Sequence, residues 1–335
     1  MENNTPLTAA ELSQIWGSYM DASLMTAVYS YFSEKTEDEE IQPVIQEALD
    51  LSENHAIVLK EFFEAENHPV PVGFTDEDVN TDAPRLYTDG YMLQHALQLG
   101  TLGMAESTVS IGMTAREDIY DYFKQAHKDF NQLHEHATKV ALLKGTYLRP
   151  PIIPAPKEVD FVKKQSFITG FFGERRPLLA PEAANLYSNI QRNSLGISTL
   201  TGFSQVAKSD KVTSYILRGI DIAKKHIAIF NDVMQESDVP VPAGSDAGVT
   251  DEAAVSPFSD KLMMYLTTGM VTLGIAFYGA SITANIRRDI ASHFIRLSGE
   301  ILLYSEDGAN LMIDNEWAEE PPRMVDRDEL AKGHK

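Results

Sequence analysis

The chain contains no cysteine among its 335 residues. Disulfides, thiolate metal sites and cysteine nucleophiles are therefore excluded, and the absence fits a reducing, cytoplasmic compartment. Positive charge is also scarce, because 28 Lys and Arg stand against 49 Asp and Glu and give a net charge of −21. Phosphate groups would be repelled before contact, so neither nucleic acid nor an anionic membrane surface is expected as a partner.

Signals for secretion and for common catalytic chemistries are missing as well. The N-terminal segment has neither a basic n-region nor an apolar h-region, so no secretory signal is predicted. The sequence contains no Gly-x-Ser-x-Gly elbow, no phosphate-binding glycine loop and no dinucleotide fingerprint. We therefore assign no catalytic residue, and the balance of the sequence is against an enzyme.

What the sequence does contain is an internal repeat. His226 lies 171 residues after His55, and the same offset relates Glu182 to Glu11. Further pairs at this offset, without a gap, are Trp16 with Tyr187, Phe32 with Phe203, Asp50 with Asp221, Asp89 with Asp260, Arg116 with Arg287 and Phe123 with Phe294. One constant offset over so much of the chain predicts a tandem duplication.

Each half has the pattern of four helices. Thr8 and Glu11 stand in capping-box positions and predict the start of the first helix. The Pro- and Asp-rich stretch 67–87 is longer than a hairpin needs and suits a crossover along a bundle. Thr88, matched by Ser259, is the predicted cap of the third helix. The expected fold is all-α, a tandem duplication of two ferritin-like four-helix bundles.

The repeat predicts four regions: a first bundle at 1–151, a Pro- and aromatic-rich connector at 152–179, a second bundle at 180–322 and a charged tail at 323–335. The aromatic residues of the connector predict that it packs against the bundles. The uncharged segment 262–286 is long enough for a membrane span. Its counterpart in the first half is plainly soluble, so we expect no membrane span and a third helix buried on every side between the bundles.

Bundles of this topology often bind two metal ions through Glu-x-x-His pairs. No histidine here follows a glutamate by three residues, which argues against a conventional di-iron site. His55 nevertheless lies in the apolar stripe of the second helix, between Leu51 and Leu59, and His226 occupies the same place in the second half. Each is either a metal ligand or a core histidine that bonds to a neighbouring helix.

Three glutamates complete the candidate sites. Glu106 lies on the apolar stripe of the third helix, where its counterpart is Phe277, and a buried carboxylate needs a partner or a raised pKa. Counting turns places it within about 7–8 Å of His55 along the bundle axis, so the two are expected to pair or to share one ion. Glu11 and Glu182 are helix N-terminal carboxylates stabilised by the macrodipole or further ligands. The candidate divalent-metal ligands are therefore His55, Glu106 and Glu11 in the first half and His226 and Glu182 in the second.

Two kinds of partner stay open besides a metal ion. The helical surfaces could bind another protein. A small molecule could occupy a pocket between the bundles, lined by aromatic residues such as Phe171, Phe172 and Tyr278.

Several segments together resemble a known family: DEEIQPV, ALDLSENH, PVPVGFTDEDVNTDAPRLY, RPPIIPAPKEVDFVKKQSF, FSDKLMMY and YSEDGANLMIDNEW. They resemble the uncharacterised domain-of-unknown-function 3231 family of bacilli over nearly the whole chain. The resemblance implies a duplicated ferritin-like fold, distantly similar to spore coat protein F, and supplies no reaction or substrate. Our first hypothesis is a non-enzymatic structural or interaction protein of sporulation or stress, in the cytoplasm, forespore or spore. The alternative is a divergent metal-binding bundle.

Overall fold

The computed structural model describes residues 5–168, 170–171, 175–239, 248–251 and 255–333. Over these ranges the chain is helical and forms no β-strand, only two isolated bridges. The prediction of an all-α protein is confirmed.

The helices occur as two sets of four. The first set is α1 (Ala9–Lys35), α2 (Gln42–Ala65), α3 (Asp89–Met113) and α4 (Glu117–Leu143). The second set is α5 (Ala180–Val206), α6 (Asp210–Gln235), α7 (Asp260–Ala284) and α8 (Arg288–Asp314), followed by a short α9 (Arg327–Ala331). Both ends of α1, α3 and α4 recur 171 residues later in α5, α7 and α8. The duplication is therefore kept in register through the fold.

The predicted caps begin the helices as expected. The Thr8 hydroxyl accepts a hydrogen bond from the N–H of Glu11, and the Glu11 side chain accepts from the N–H of Thr8, which completes a capping box. Thr88 and Ser259 each accept a hydrogen bond from the N–H three residues further on and so cap α3 and α7. Local side-chain chemistry thus sets these three helix starts.

Each bundle combines two hairpins with one long connection. The helix pairs α1–α2, α3–α4, α5–α6 and α7–α8 pack against each other, while 66–88 and 236–259 link the second helix of each bundle to the third. One long crossover per bundle is the connectivity of ferritin-like folds.

The two bundles share part of their hydrophobic core. Separate buried clusters occupy the two outer ends, but one large cluster contains residues of both halves. At this junction the Tyr87 hydroxyl donates to the carbonyl oxygen of Thr199 (2.7 Å), and the hydroxyls of Tyr91 and Thr199 lie 2.8 Å apart. The rings of Tyr87 and Tyr91 stack at 4.1 Å. The expectation that each bundle closes around its own interior holds only away from the junction.

Helix α7 is buried only in its first turns. The expectation that it is buried on every side is wrong. Leu262, Met263 and Met264 lie in the shared core, while Leu273 is 38% exposed. Within the described residues, Asp260–Ala284 is the one helix whose length and composition suit a membrane span, and 33% of its most apolar window is buried. Because α7 packs along α5 and α8 inside a bundle, we retain the prediction of no membrane span.

The connector differs from its prediction. Ile152 and Phe161 are 93% and 77% exposed, so the expectation that its apolar residues pack against the bundles is wrong for this stretch. Contact with the second bundle begins after a short 3-10 helix at Gln165–Ile168, where Arg176, whose guanidinium lies 4.3 Å from the centre of the Phe167 ring, donates to Glu182.

Candidate functional site

Glu11 lies where two helices begin. Its carboxylate accepts hydrogen bonds from the N–H groups of Thr8 (2.9 Å) before α1, and of Ala115 (3.1 Å) and Arg116 (2.9 Å) before α4. Burial raises its pKa, but these bonds outweigh burial and lower the pKa of Glu11 to about 2. An ionised carboxylate between two helix N-termini is stabilised by both macrodipoles. These contacts support the structural interpretation of Glu11.

Glu182 repeats this arrangement in the second bundle. It is fully buried, and it accepts hydrogen bonds from the N–H groups of Leu179 (2.9 Å) and Arg287 (3.0 Å). The Arg176 guanidinium donates to both of its oxygens, at 2.7 and 2.8 Å. Burial raises its pKa, but the bonds from Arg176 and the backbone lower it overall. Both glutamates therefore bind backbone N–H groups at helix ends, and each accepts four hydrogen bonds in all.

The sequence predicted that His55 pairs with Glu106, but the structure gives His55 other partners. Its Nε2 lies 3.7 Å from Asp129 Oδ2, and its Nδ1 lies 3.3 Å from the Tyr122 hydroxyl, both on α4. Burial lowers the pKa of His55, and the charge of Asp129 offsets this only in part. A mostly neutral imidazole that bonds to a neighbouring helix matches the core-histidine alternative.

His226 has the same type of partners. Its Nδ1 lies 2.9 Å from the Tyr278 hydroxyl and its Nε2 lies 3.2 Å from Glu300 Oε2. Burial lowers the pKa of His226. Glu300 follows Asp129 by the repeat offset, so a histidine–carboxylate pair recurs in both bundles. Sequence reasoning missed both carboxylates, although the offset itself relates them.

Glu106 has a different neighbour. Glu106 on α3 and Asp21 on α1 are both exposed to solvent, so Glu106 does not lie in the dry core. Protein still surrounds them closely, and burial together with the charge of Glu106 raises the pKa of Asp21 to about 8. Burial also raises the pKa of Glu106. The acid that Glu106 faces is thus Asp21, and not His55 as the sequence predicted.

The five predicted ligands are thus distributed over separate places. In the part of the chain that the structure describes, no three His, Asp or Glu side chains are grouped in a way that could hold a metal ion. The metal-binding alternative stays a prediction.

A cavity of about 150 Å³ lies in the second bundle. All four helices α5–α8 line it, and Gln98 and Leu102 of α3 reach it from the first half. Tyr278 lines the cavity, as predicted for a pocket between the bundles. Phe171 is not among its lining residues, and Phe172 lies outside the described residues. The cavity is therefore further inside the second bundle than expected.

The first bundle differs at the same positions. Gly196 and Ile301 line the cavity, and their counterparts are the larger Met25 and Phe130. A Cβ atom added to Gly196 would meet nothing within 4 Å. In the first bundle, Met25 packs against the core and the Phe130 ring lies directly against Gly103. Smaller side chains at two duplicated positions thus leave space in the second bundle.

One cationic side chain borders the cavity. The Arg192 guanidinium lies over the Phe277 ring at 3.5 Å from its centre, and both residues line the cavity. By the repeat offset, Arg192 stands where the first half has Asp21, and Phe277 where it has Glu106. Sequence reasoning missed Arg192 because it weighed only acids and histidines as candidates.

Comparisons with known proteins bear on family and fold. The sequence profile of a family described as Protein of unknown function (DUF3231) matches residues 1–159 and again residues 166–330. A search of curated proteins finds no match. Among solved structures, the chain is similar to a protein of Bacillus halodurans that has been proposed to be a spore coat protein, with 17% identity and a TM-score of 0.43 over 45% of this chain and 98% of the other. Two matches to one profile agree with the duplication.

Proposed function

Because this chain belongs to the DUF3231 family, whose description assigns no activity, we propose from its geometry that it is a binding protein that holds a small apolar molecule in the second bundle. The observation that carries the proposal is the cavity of about 150 Å³ among α5–α8. Enclosed apolar cavities of this size bind molecules the size of benzene, and this cavity has the same apolar walls while it opens to solvent beside Leu273. Lining groups such as Leu195, Val271 and Ile301 provide such walls.

The histidine on the cavity wall supports binding over catalysis. His226 lines the cavity, but both of its ring nitrogens already have partners, the Tyr278 hydroxyl and Glu300. Lys225 and His226 also hold Glu300 in its ionised form, since their bonds lower its pKa although burial raises it. With both nitrogens engaged, the imidazole is a fixed part of the cavity wall.

The experiment is calorimetric titration of the full chain with benzyl alcohol, a neutral ring of suitable size. We expect saturable one-to-one binding with a dissociation constant of about 1 mM or tighter, which corresponds to about −4 kcal/mol. Gly196→Met introduces the residue of the first bundle into the cavity and should abolish binding. Gly279→Met is the matched control, because Gly279 also has open space around its Cβ position but does not line the cavity.

Two outcomes would contradict the proposal. One is the absence of saturable binding up to about ten times the expected dissociation constant. The other is equal binding to the Gly196→Met and Gly279→Met variants, which would place the probe somewhere else.

The setting and the alternative function remain predictions from the sequence. A role in sporulation or stress, with a protein partner on the helical surfaces, rests on the family. The metal-binding alternative predicts that iron, manganese or zinc co-purifies near one equivalent and is lost in His55→Ala. Metal analysis of the purified protein decides this independently of the benzyl alcohol titration.

A further inference from the structure

Arg192 is an arginine without an anionic partner. Its side chain is half-buried, and within the described residues it forms no ion pair and no hydrogen bond. Its Nε atom is buried and unsatisfied. Burial accordingly lowers its pKa, from a value so high that the side chain stays charged. In a chain with 49 acidic residues, an unpaired guanidinium on the wall of a cavity calls for an explanation.

Stacking on Phe277 fixes the orientation of this guanidinium. The guanidinium carbon lies 3.5 Å from the ring centre, which is a cation–π contact, and the Nε–H group has no hydrogen-bond acceptor. A planar donor edge of this kind matches the two oxygens of a carboxylate. The cavity therefore combines apolar walls with one oriented cation.

The duplication provides a comparison within the same molecule. At the positions of Arg192 and Phe277, the first bundle has Asp21 and Glu106, whose charges repel each other. The two bundles share their helix register but have opposite charge at this point. A cation is therefore no requirement of the fold here, because the other copy of the same fold carries acids.

We infer that the ligand of the second-bundle cavity is a small monocarboxylate with an apolar body of about six carbons. This inference rests on the proposed function and specifies the chemistry of its ligand. The carboxylate bonds to the Arg192 guanidinium, and the apolar body lies among Leu195, Val271 and Ile301. The net charge of −21 opposes an anion at long range, but salt screens that field beyond about 8 Å. Direct contact with Arg192 therefore decides affinity.

The test compares benzoate with benzyl alcohol, two ligands of nearly equal size that differ in charge, by calorimetric titration of the full chain at neutral pH. We expect benzoate to bind at least about tenfold more tightly, because only its carboxylate forms a hydrogen bond with Arg192 in which both groups are charged. Arg192→Met should remove this preference, so that the ratio of the two dissociation constants falls to about one whatever the variant does to the affinity for benzyl alcohol. Arg192→Lys keeps the charge without the planar edge and should retain part of the preference.

The possible results separate this inference from the proposed function. If benzyl alcohol binds in the cavity but benzoate binds no more tightly, the inference is overturned and the binding function stands. The same holds if Arg192→Met leaves the preference intact. If neither probe binds, both are overturned. The comparison of the two probes on the unaltered chain needs no variant, so poor folding of a variant cannot obscure the answer.

Discussion

Replacing Glu182 by glutamine tests whether the predicted ligands of the second bundle hold the fold together. Glu182 has no exposed surface, and its two oxygens accept bonds from two backbone N–H groups and from the Arg176 guanidinium. Glutamine has nearly the same shape but only one accepting oxygen, and its amide N–H groups would face donors. At least one buried N–H loses its partner, and Arg176 loses its counter-charge.

The expected loss follows from these contacts. A buried donor left without a partner costs about 1–3 kcal/mol. Breaking a buried ion pair on one side costs about 3–5 kcal/mol in total. We therefore expect the free energy of unfolding to fall by about 3–5 kcal/mol at neutral pH. Because the folded-state pKa of Glu182 is lowered, this contribution is complete above its ordinary value of 4.5 and disappears as the pH falls below that value.

The assay is urea denaturation of the full chain, with and without a chelator. Glu53→Gln is the control, because Glu53 is exposed and its change should stay within about 0.5 kcal/mol. A structural Glu182 predicts the same loss in both conditions, whereas a metal ligand predicts a loss that the chelator removes. A loss below about 1 kcal/mol, or one that depends on the chelator, would refute the structural interpretation.

Three further variants test other parts of the structure. Asp21→Asn should raise the free energy of unfolding by about 1 kcal/mol at pH 8, after allowance for solvent screening, and should have no effect below about pH 4. The reason is that the raised pKa of Asp21 makes its ionisation costly only as the pH rises. The same effect at every pH of a denaturation series would contradict this. Gly196→Met should stabilise the protein by about 1 kcal/mol in thermal denaturation without added ligand, because it fills part of the cavity and removes a helical glycine. A lower melting temperature would mean that the methionine overpacks the site. Tyr87→Phe removes the hydrogen bond to Thr199 and should lower the free energy of unfolding by about 1 kcal/mol. Because the two bundles share a core, the chain should unfold in a single transition, and two separate transitions would contradict the shared core.

The sequence predicted those features that depend on neighbours along the chain. The capping positions of Thr8, Thr88 and Ser259 set helix starts through bonds to N–H groups a few residues away, so local spacing was sufficient. The repeat offset fixed the register of the second bundle in the same way. Helical periodicity shows which side of a helix faces inward.

Contacts between helices were less predictable. Periodicity does not determine which residue of a neighbouring helix faces a given side chain. His55 was therefore expected beside Glu106 on α3, whereas it meets Asp129 and Tyr122 on α4. The shared core at Tyr87 could not be predicted for the same reason, because it depends on how the two bundles pack against each other.

The cavity could not be predicted from composition, since it arises where the second bundle has smaller side chains than the first at two duplicated positions. An enclosed cavity of about 150 Å³ would cost about 4 kcal/mol relative to a filled interior, at about 24 cal/mol per Å³, and this one costs less because it opens to solvent beside Leu273. Even part of that cost matters against the roughly 5–15 kcal/mol by which folded proteins are typically stable. The first bundle avoids this cost with Met25 and Phe130 on the same helical framework, so neither the backbone nor the topology forces the second bundle to be hollow. A ligand that fills the space offsets the cost. An Arg192 that finds its counter-charge only in that ligand would make the offset selective for an anion.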